Sequence, residues 1–196
     1  MKRLIFTLTI LVCILACNKE DDGIVRMEQC EVPLSEYAGN AIDLGLSVLW
    51  AEDNLGGRFA WGETESKSYF SEKGYEYYLE GVYVEIGRNI TGSKYDAARI
   101  NWGGKWRMPT EKEFRELFDK CEWYDYGNGT IKATGPNGNH IYFKEEKMIS
   151  QNSGYWTADQ FGNYPDYAWG AAVSWNCFTQ GMGKPNGLLI RPVMDK

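Results

Sequence analysis

The 196-residue chain is poor in the residues that most often carry covalent and metal chemistry. It has one histidine, His140, and five cysteines, none in a Cys-x-x-Cys spacing. The cysteine spacing argues against a zinc knuckle or a thioredoxin-type redox pair. A Ser-His-Asp or Cys-His arrangement would have to use His140, which stands between Asn139 and Ile141 with nothing in the sequence marking a partner. Gly56-Gly57 and Gly103-Gly104 do not form a phosphate-binding loop, and no Asp-x-Asp-x-Asp-Gly run supplies the oxygen ligands that calcium needs. Cations are also in deficit, with 21 lysines and arginines against 27 acids for a net charge of −6. Such a chain lacks the clustered positive charge on which nucleic-acid binding depends. A long apolar run is missing too. Leu4 to Leu15, interrupted by Thr7 and Thr9, falls short of the roughly 20 residues a membrane-spanning helix requires.

What is present at the start is a secretory signal, two positive charges (Lys2, Arg3) ahead of that short apolar stretch. It ends at Ile14-Leu15-Ala16-Cys17, which resembles the lipobox of bacterial lipoproteins, although Leu15 is larger than the residue commoner there. The resemblance implies that Cys17 becomes the first mature residue and carries a diacylglycerol on its sulfur. Cys13, preceded by bulky Val12, is the poorer candidate, and an ordinary secretory peptide cut at an Ala-containing site is the alternative. The following Asn18-Lys19-Glu20-Asp21-Asp22 looks like the lysine-plus-acidic export tag of surface lipoproteins in Bacteroidota; a solvated charged tether is the plainer reading. The expected organisation is a signal at 1–16, lipidated Cys17 with a tether to 37, and one domain over 38–196, displayed at the outer membrane. That length buries a core without staples. Cys30, Cys121 and Cys177 remain, so at most one disulfide can form within the chain.

The domain reads as α+β. Ile42, Leu44, Leu46, Val48 and Trp50 are apolar at every second position, the strand period, and Gly45 is placed to split the run. A second strand is expected over 58–63, and residues 64–92 read as loop with scattered strand. Thr110-Glu111-Lys112-Glu113 is a capping box behind Pro109. Phe114, Leu117, Phe118 and Cys121 then form an apolar stripe, with the charged residues facing water. A shorter helix is expected over 93–100, opened by Ser93 and Asp96. Strands follow over 130–134 and 140–144 around the Gly135–Asn139 reversal, then over 155–157, 169–175 and 188–193. Pro192 restricts the last of these to an edge or a fraying end. Glu145 and Glu146 are adjacent, so on a strand they point to opposite faces and are poorly set for shared acid/base work.

Taken in order, Ile42 to Ala51, Phe59-Ala60-Trp61-Gly62-Glu63, Asp96-Ala97-Ala98, Asn101-Trp102-Gly103-Gly104 and Trp106-Arg107-Met108-Pro109-Thr110 form a pattern. Cys121-x-Trp123, Gly154-Tyr155-Trp156-Thr157 and Ile190-Arg191-Pro192-Val193 complete it. From 41 to 193 the pattern resembles the Fibrobacter succinogenes major paralogous domain family, common in Bacteroidota envelope proteins. The resemblance implies a C-type-lectin-like fold, two helices with a loop-rich, mostly antiparallel sheet, whose first and last strands pair and whose C-terminal loops carry the ligand surface. Trp102, Trp106 and Trp123 are expected as core around the longer helix, and Arg107 and Arg191 as partners of local carboxylates or strand carbonyls. Sugar-binding C-type lectins use a Glu-Pro-Asn loop for calcium; here Lys184-Pro185-Asn186 puts a cation where a carboxylate is required, so that site does not carry over.

The candidate ligand residues lie in those late loops: Asp159, Tyr164, Asp166, Tyr167, Asn176, Phe178 and Gln180, with Gln160, Phe161 and Asn163 among them. Rings cover an apolar sugar or protein face while amides and acids satisfy hydroxyls or backbone groups. The expected function is non-catalytic binding or adhesion toward a glycan or protein at the envelope surface, with no cofactor or metal. The alternatives are a structural subunit of an envelope or fimbria-like assembly, and a relative of the formylglycine-generating oxidase. That oxidase chemistry needs a close pair of cysteines, whereas Cys121 sits on an apolar stripe and Cys177 has no partner nearby in sequence.

Overall fold

The computed structural model describes residues 32–36, 38–144, 154–174 and 176–196. The signal, Cys17, Cys30, the Glu145–Glu146 pair and Trp175 lie outside them. The described chain is α+β, with two helices and mostly antiparallel sheets. Among the described residues no helix is long and apolar enough to cross a membrane.

The alternating run at the start becomes a hairpin, β1 (Ala41–Asp43) against β2 (Val48–Ala51). Gly45 supplies its reversal at φ +76°, its N–H donating to Asp43 Oδ1 at 2.8 Å. β2 pairs on its other side with the last strand, β14 (Val193–Asp195), which in turn pairs with β6 (Trp106–Arg107). A second sheet has the order β12 (Phe178–Gly183), β11 (Tyr167–Ala172), β10 (Tyr155–Gln160), β13 (Leu188–Ile190), β3 (Leu55–Phe59), and only β10 and β13 run parallel. A third sheet is the meander β7 (Glu122–Asp125), β8 (Thr130–Thr134), β9 (His140–Lys144). Residues 64–92 contribute a small hairpin, β4 (Tyr78–Leu79) with β5 (Val82–Tyr83).

Pro192 is not at an edge. It falls between β13 and β14, where the chain leaves one sheet for another and neither ladder needs an N–H. Its carbonyl accepts from Ala51 N at 2.9 Å, and β14 lies inside its sheet between β2 and β6.

Helix α2 (Glu111–Lys120) carries the capping box in full. Thr110 Oγ1 accepts from Glu113 N at 3.2 Å, and Glu113 Oε2 accepts from Thr110 N at 2.7 Å. Phe114 and Leu117 are fully buried, while Phe118 is only half-buried. Helix α1 (Ala97–Trp102) starts later than the Ser93 box predicts, with Asp96 as its N-cap. Ser93 Oγ donates instead to Ile90 O at 2.8 Å, and the stronger, charged acceptor takes the cap.

Two cores result. One joins Phe59, Trp61, Trp102, Trp106, Trp156 and Ile190 beneath α1. The other joins Leu44, Val48, Trp50, Phe114, Leu117, Ile131 and Phe143 between α2 and the β7–β9 meander. Trp102 and Trp106 are core residues, edge to face at 5.1 Å, but on the α1 side and not around the longer helix as expected. Both arginines pair locally. Arg107 forks onto Glu113 at 3.0 and 2.7 Å and reaches Asp195. Arg191, 2% exposed, donates to the carbonyls of Ala51, Glu52 and Tyr142 across Phe143, tying the meander to β2.

Candidate functional site

The structure sorts the late-loop residues into different places. Asp159 is held by the scaffold: Oδ2 accepts from Glu111 N at 2.7 Å, which fastens β10 to the first turn of α2, and Oδ1 accepts from Asn89 Nδ2 at 2.6 Å, which fastens it to the loop before α1. Asp166 turns toward Lys184, whose N–H donates to the Asp166 carbonyl at 2.8 Å. Lys184 itself is 1% exposed, with Nζ on Gln160 Oε1 at 2.8 Å and 4.5 Å from the centre of the Trp61 ring. Burial pulls its ammonium down to about 8, against the opposing pull of Asp166 and Glu85. Gln180 pairs with Gly170, so strand alternation sets it on the opposite face of β12 from Thr179 and Gly181.

Tyr164 and Tyr167 are exposed at the β10–β11 connection, and they begin a row. Tyr167 lies 6.4 Å from Tyr164, Tyr164 stacks on Phe161 at 5.7 Å, and Phe161 meets Trp169 at 4.5 Å. Phe161 lies over Gly181, the cross-strand partner of Trp169; a Cβ there would come within 2.9 Å of the ring. Arg115 of α2 continues the row, its guanidinium 5.8 Å from the Trp169 ring and ion-paired with Glu111. Thr179 Oγ1 donates to the same Glu111 at 2.8 Å, which fixes α2 against β12.

Beyond Arg115 the surface sinks. A recess of about 250 Å³ is lined by Arg115, Phe118, Asp119, Cys177, Phe178 and Thr179. It shares Phe118, Asp119 and Cys177 with a larger one of about 370 Å³, lined also by Trp123, Asp125, Ile131, Ser174 and Asn176. Trp123 stands beside Phe118 at 5.8 Å and donates from Nε1 to its carbonyl at 3.4 Å. The two recesses and the aromatic row form one track along a flank of α2, with rings on its floor and two carboxylates, an amide and hydroxyls at its rim.

The track takes in Tyr164, Tyr167, Asn176 and Phe178 from the candidate residues and leaves Asp159, Asp166 and Gln180 out. Arg115, Phe118, Asp119, Trp123, Asp125 and Trp169 were not anticipated. Trp123-x-Asp125 was a readable signal, since alternation puts both on one side of β7. Phe118 hides within an apolar stripe whose outermost member it is.

Cys121 and Cys177 are free thiols. Burial pushes Cys177 up and Cys121 up to about 11, so both are protonated at neutral pH and weak as nucleophiles. Among the described residues no group of three or more His, Cys, Asp or Glu is placed to hold a metal ion. Comparison with known proteins finds no matching family model, no matching curated protein and no matching solved structure.

Proposed function

We propose that the chain is an envelope lipoprotein, anchored through Cys17, whose C-type-lectin-like domain of the major paralogous type binds carbohydrate without turning it over. The observation that carries this reading is the continuous track from Tyr167 to Trp123. Aromatic faces accept the C–H face of a pyranose, and Asp119, Asp125 and Asn176 accept from or donate to its hydroxyls. The extended form suits a linear chain of several sugars. With two carboxylates on the rim, and Arg115 already paired with Glu111, a neutral glycan fits better than an anionic one. The return of β14 to the first hairpin favours the lectin-like reading, although it pairs there with β2 and not with the first strand as the resemblance implies.

A glycan array probed with the full chain in detergent tests the function. Retention of a neutral oligosaccharide, lost in Trp169→Ala and Tyr164→Ala, is the expected result; an array without a hit overturns it. Palmitate labelling lost in Cys17→Ser tests the anchor, and cleavage by protease added to intact cells tests surface display.

One observation favours a structural subunit instead. β12 ends its sheet, so among the described residues its outer edge is open to a strand from another protein. Defined oligomers in light scattering would support that reading.

A further inference from the structure

The outer face of the β7–β9 meander carries aromatic rings that the track does not use. Alternation buries Ile131, Ala133, Ile141 and Phe143 and turns Glu122, Tyr124, Lys132, His140, Tyr142 and Lys144 outward. Tyr124, Tyr126 and Tyr142 are 58%, 48% and 43% exposed. They hold one another edge-on or tilted, Tyr124 to Tyr126 at 4.8 Å, Tyr126 to Tyr142 at 6.5 Å and His140 to Tyr142 at 5.2 Å. Rings steadied in this way lose little freedom when a ligand covers them.

The register places charge among them. Lys132 lies directly between Tyr124 and Tyr142, and Lys144 is opposite Thr130 in the next row. Among the described residues neither lysine enters an ion pair. Glu122 shares the far row with Thr134 and His140. On a chain of net charge −6, a face with two lysines and one carboxylate among the described residues runs against the general field and favours an anionic partner. The face is flat, and its rings ask for C–H surface as well as charge. A small free anion would use the lysines alone.

We propose that this face binds an acidic polysaccharide, with uronate carboxylates on Lys132 and Lys144 and pyranose faces on Tyr124 and Tyr142. It is a site separate from the α2 track, and it takes an anionic ligand where the track takes a neutral one.

The test is calorimetric titration of the full chain in detergent with tetragalacturonate, using its methyl ester and cellotetraose as neutral controls. Tetragalacturonate is expected to bind and to weaken with added salt. Lys132→Gln and Tyr142→Ala each weaken it by about tenfold, the loss of one charged contact or one stacked ring. Both side chains face outward, so an unchanged thermal midpoint verifies that the variants fold. Trp169→Ala leaves this binding intact, which separates it from the track. Four results overturn the inference: equal binding of the ester, undiminished binding in both variants, loss in Trp169→Ala, or capture by phosphatidylglycerol vesicles with none by the tetramer.

Discussion

At the start of α1, a fully buried Asp96 gives its carboxylate to the N–H groups of Gly92, Arg99 and Met108. At the start of α2, the cap is built from Thr110, Glu113 and Asp159 at half-buried positions, and the flank behind it opens into the aromatic track. Both helices obey the same rule, that orphan N–H groups find an acceptor. They differ in what remains afterwards. Around α1 the polar side chains are consumed by the backbone, Asn101 included, which donates to the Thr64 and Ala97 carbonyls. Beside α2 the cap is completed from β10, so Phe118, Asp119 and Arg115 are left facing a recess. The α1 end is scaffold; the α2 flank is surface with a shape.

Changes on the α1 side are therefore expected to cost stability, and changes along the α2 flank to cost binding. The largest effect belongs to Asp96→Ala, which strands one buried and two half-buried N–H groups and should lower unfolding free energy by about 2–4 kcal/mol in denaturant titration. Burial raises the Asp96 carboxyl to about 6 from 3.8. Its protonation therefore favours the folded state most below pH 3.8, and that contribution fades as pH rises through 6; the variant should lose this dependence.

Next is Lys184→Met. The buried ammonium is lowered to about 8 from 10.5, so the wild-type fold should gain stability as pH rises from 8 to 10.5 and lose it as pH falls through 8. The swing is on the order of 1–3 kcal/mol, and the methionine variant should be flat over that range. Asp159→Ala removes the acceptor for Glu111 N and should cost about 1 kcal/mol, read as a lower thermal midpoint. Smallest in stability is Tyr164→Ala at an exposed loop position, within about 0.5 kcal/mol, yet it should weaken the array-identified glycan about tenfold. If Asp96→Ala and Tyr164→Ala moved the same observable, the contrast between the two helices would fail.

Much of the scaffold was legible because local chemistry decides it. The capping box at Thr110, the split at Gly45 and the Arg107–Glu113 fork follow from short-range hydrogen bonding and strand period. The start of α1 was misread because both Ser93 and Asp96 suit a cap, and only the convergence of three amides on one buried carboxylate chooses between them. Pro192 misled because a missing N–H excludes a ladder position but does not exclude a junction between two ladders. The site was half legible. Exposed tyrosines at 164 and 167 show themselves in a loop, whereas Asp159 looks the same in sequence whether it meets a ligand or caps a helix 48 residues away. The recess needed α2, β7 and the β11–β12 connection brought together, and no local pattern encodes that meeting.

The most direct test of the track uses the tryptophans as reporters. Indole N–H resonances of the full chain are followed by NMR while the neutral oligosaccharide retained on the array is added. Trp123 and Trp169 should shift in proportion to occupancy, while the fully buried Trp50, Trp61 and Trp156 stay in place. Saturable binding that leaves both Trp123 and Trp169 unmoved would contradict the account.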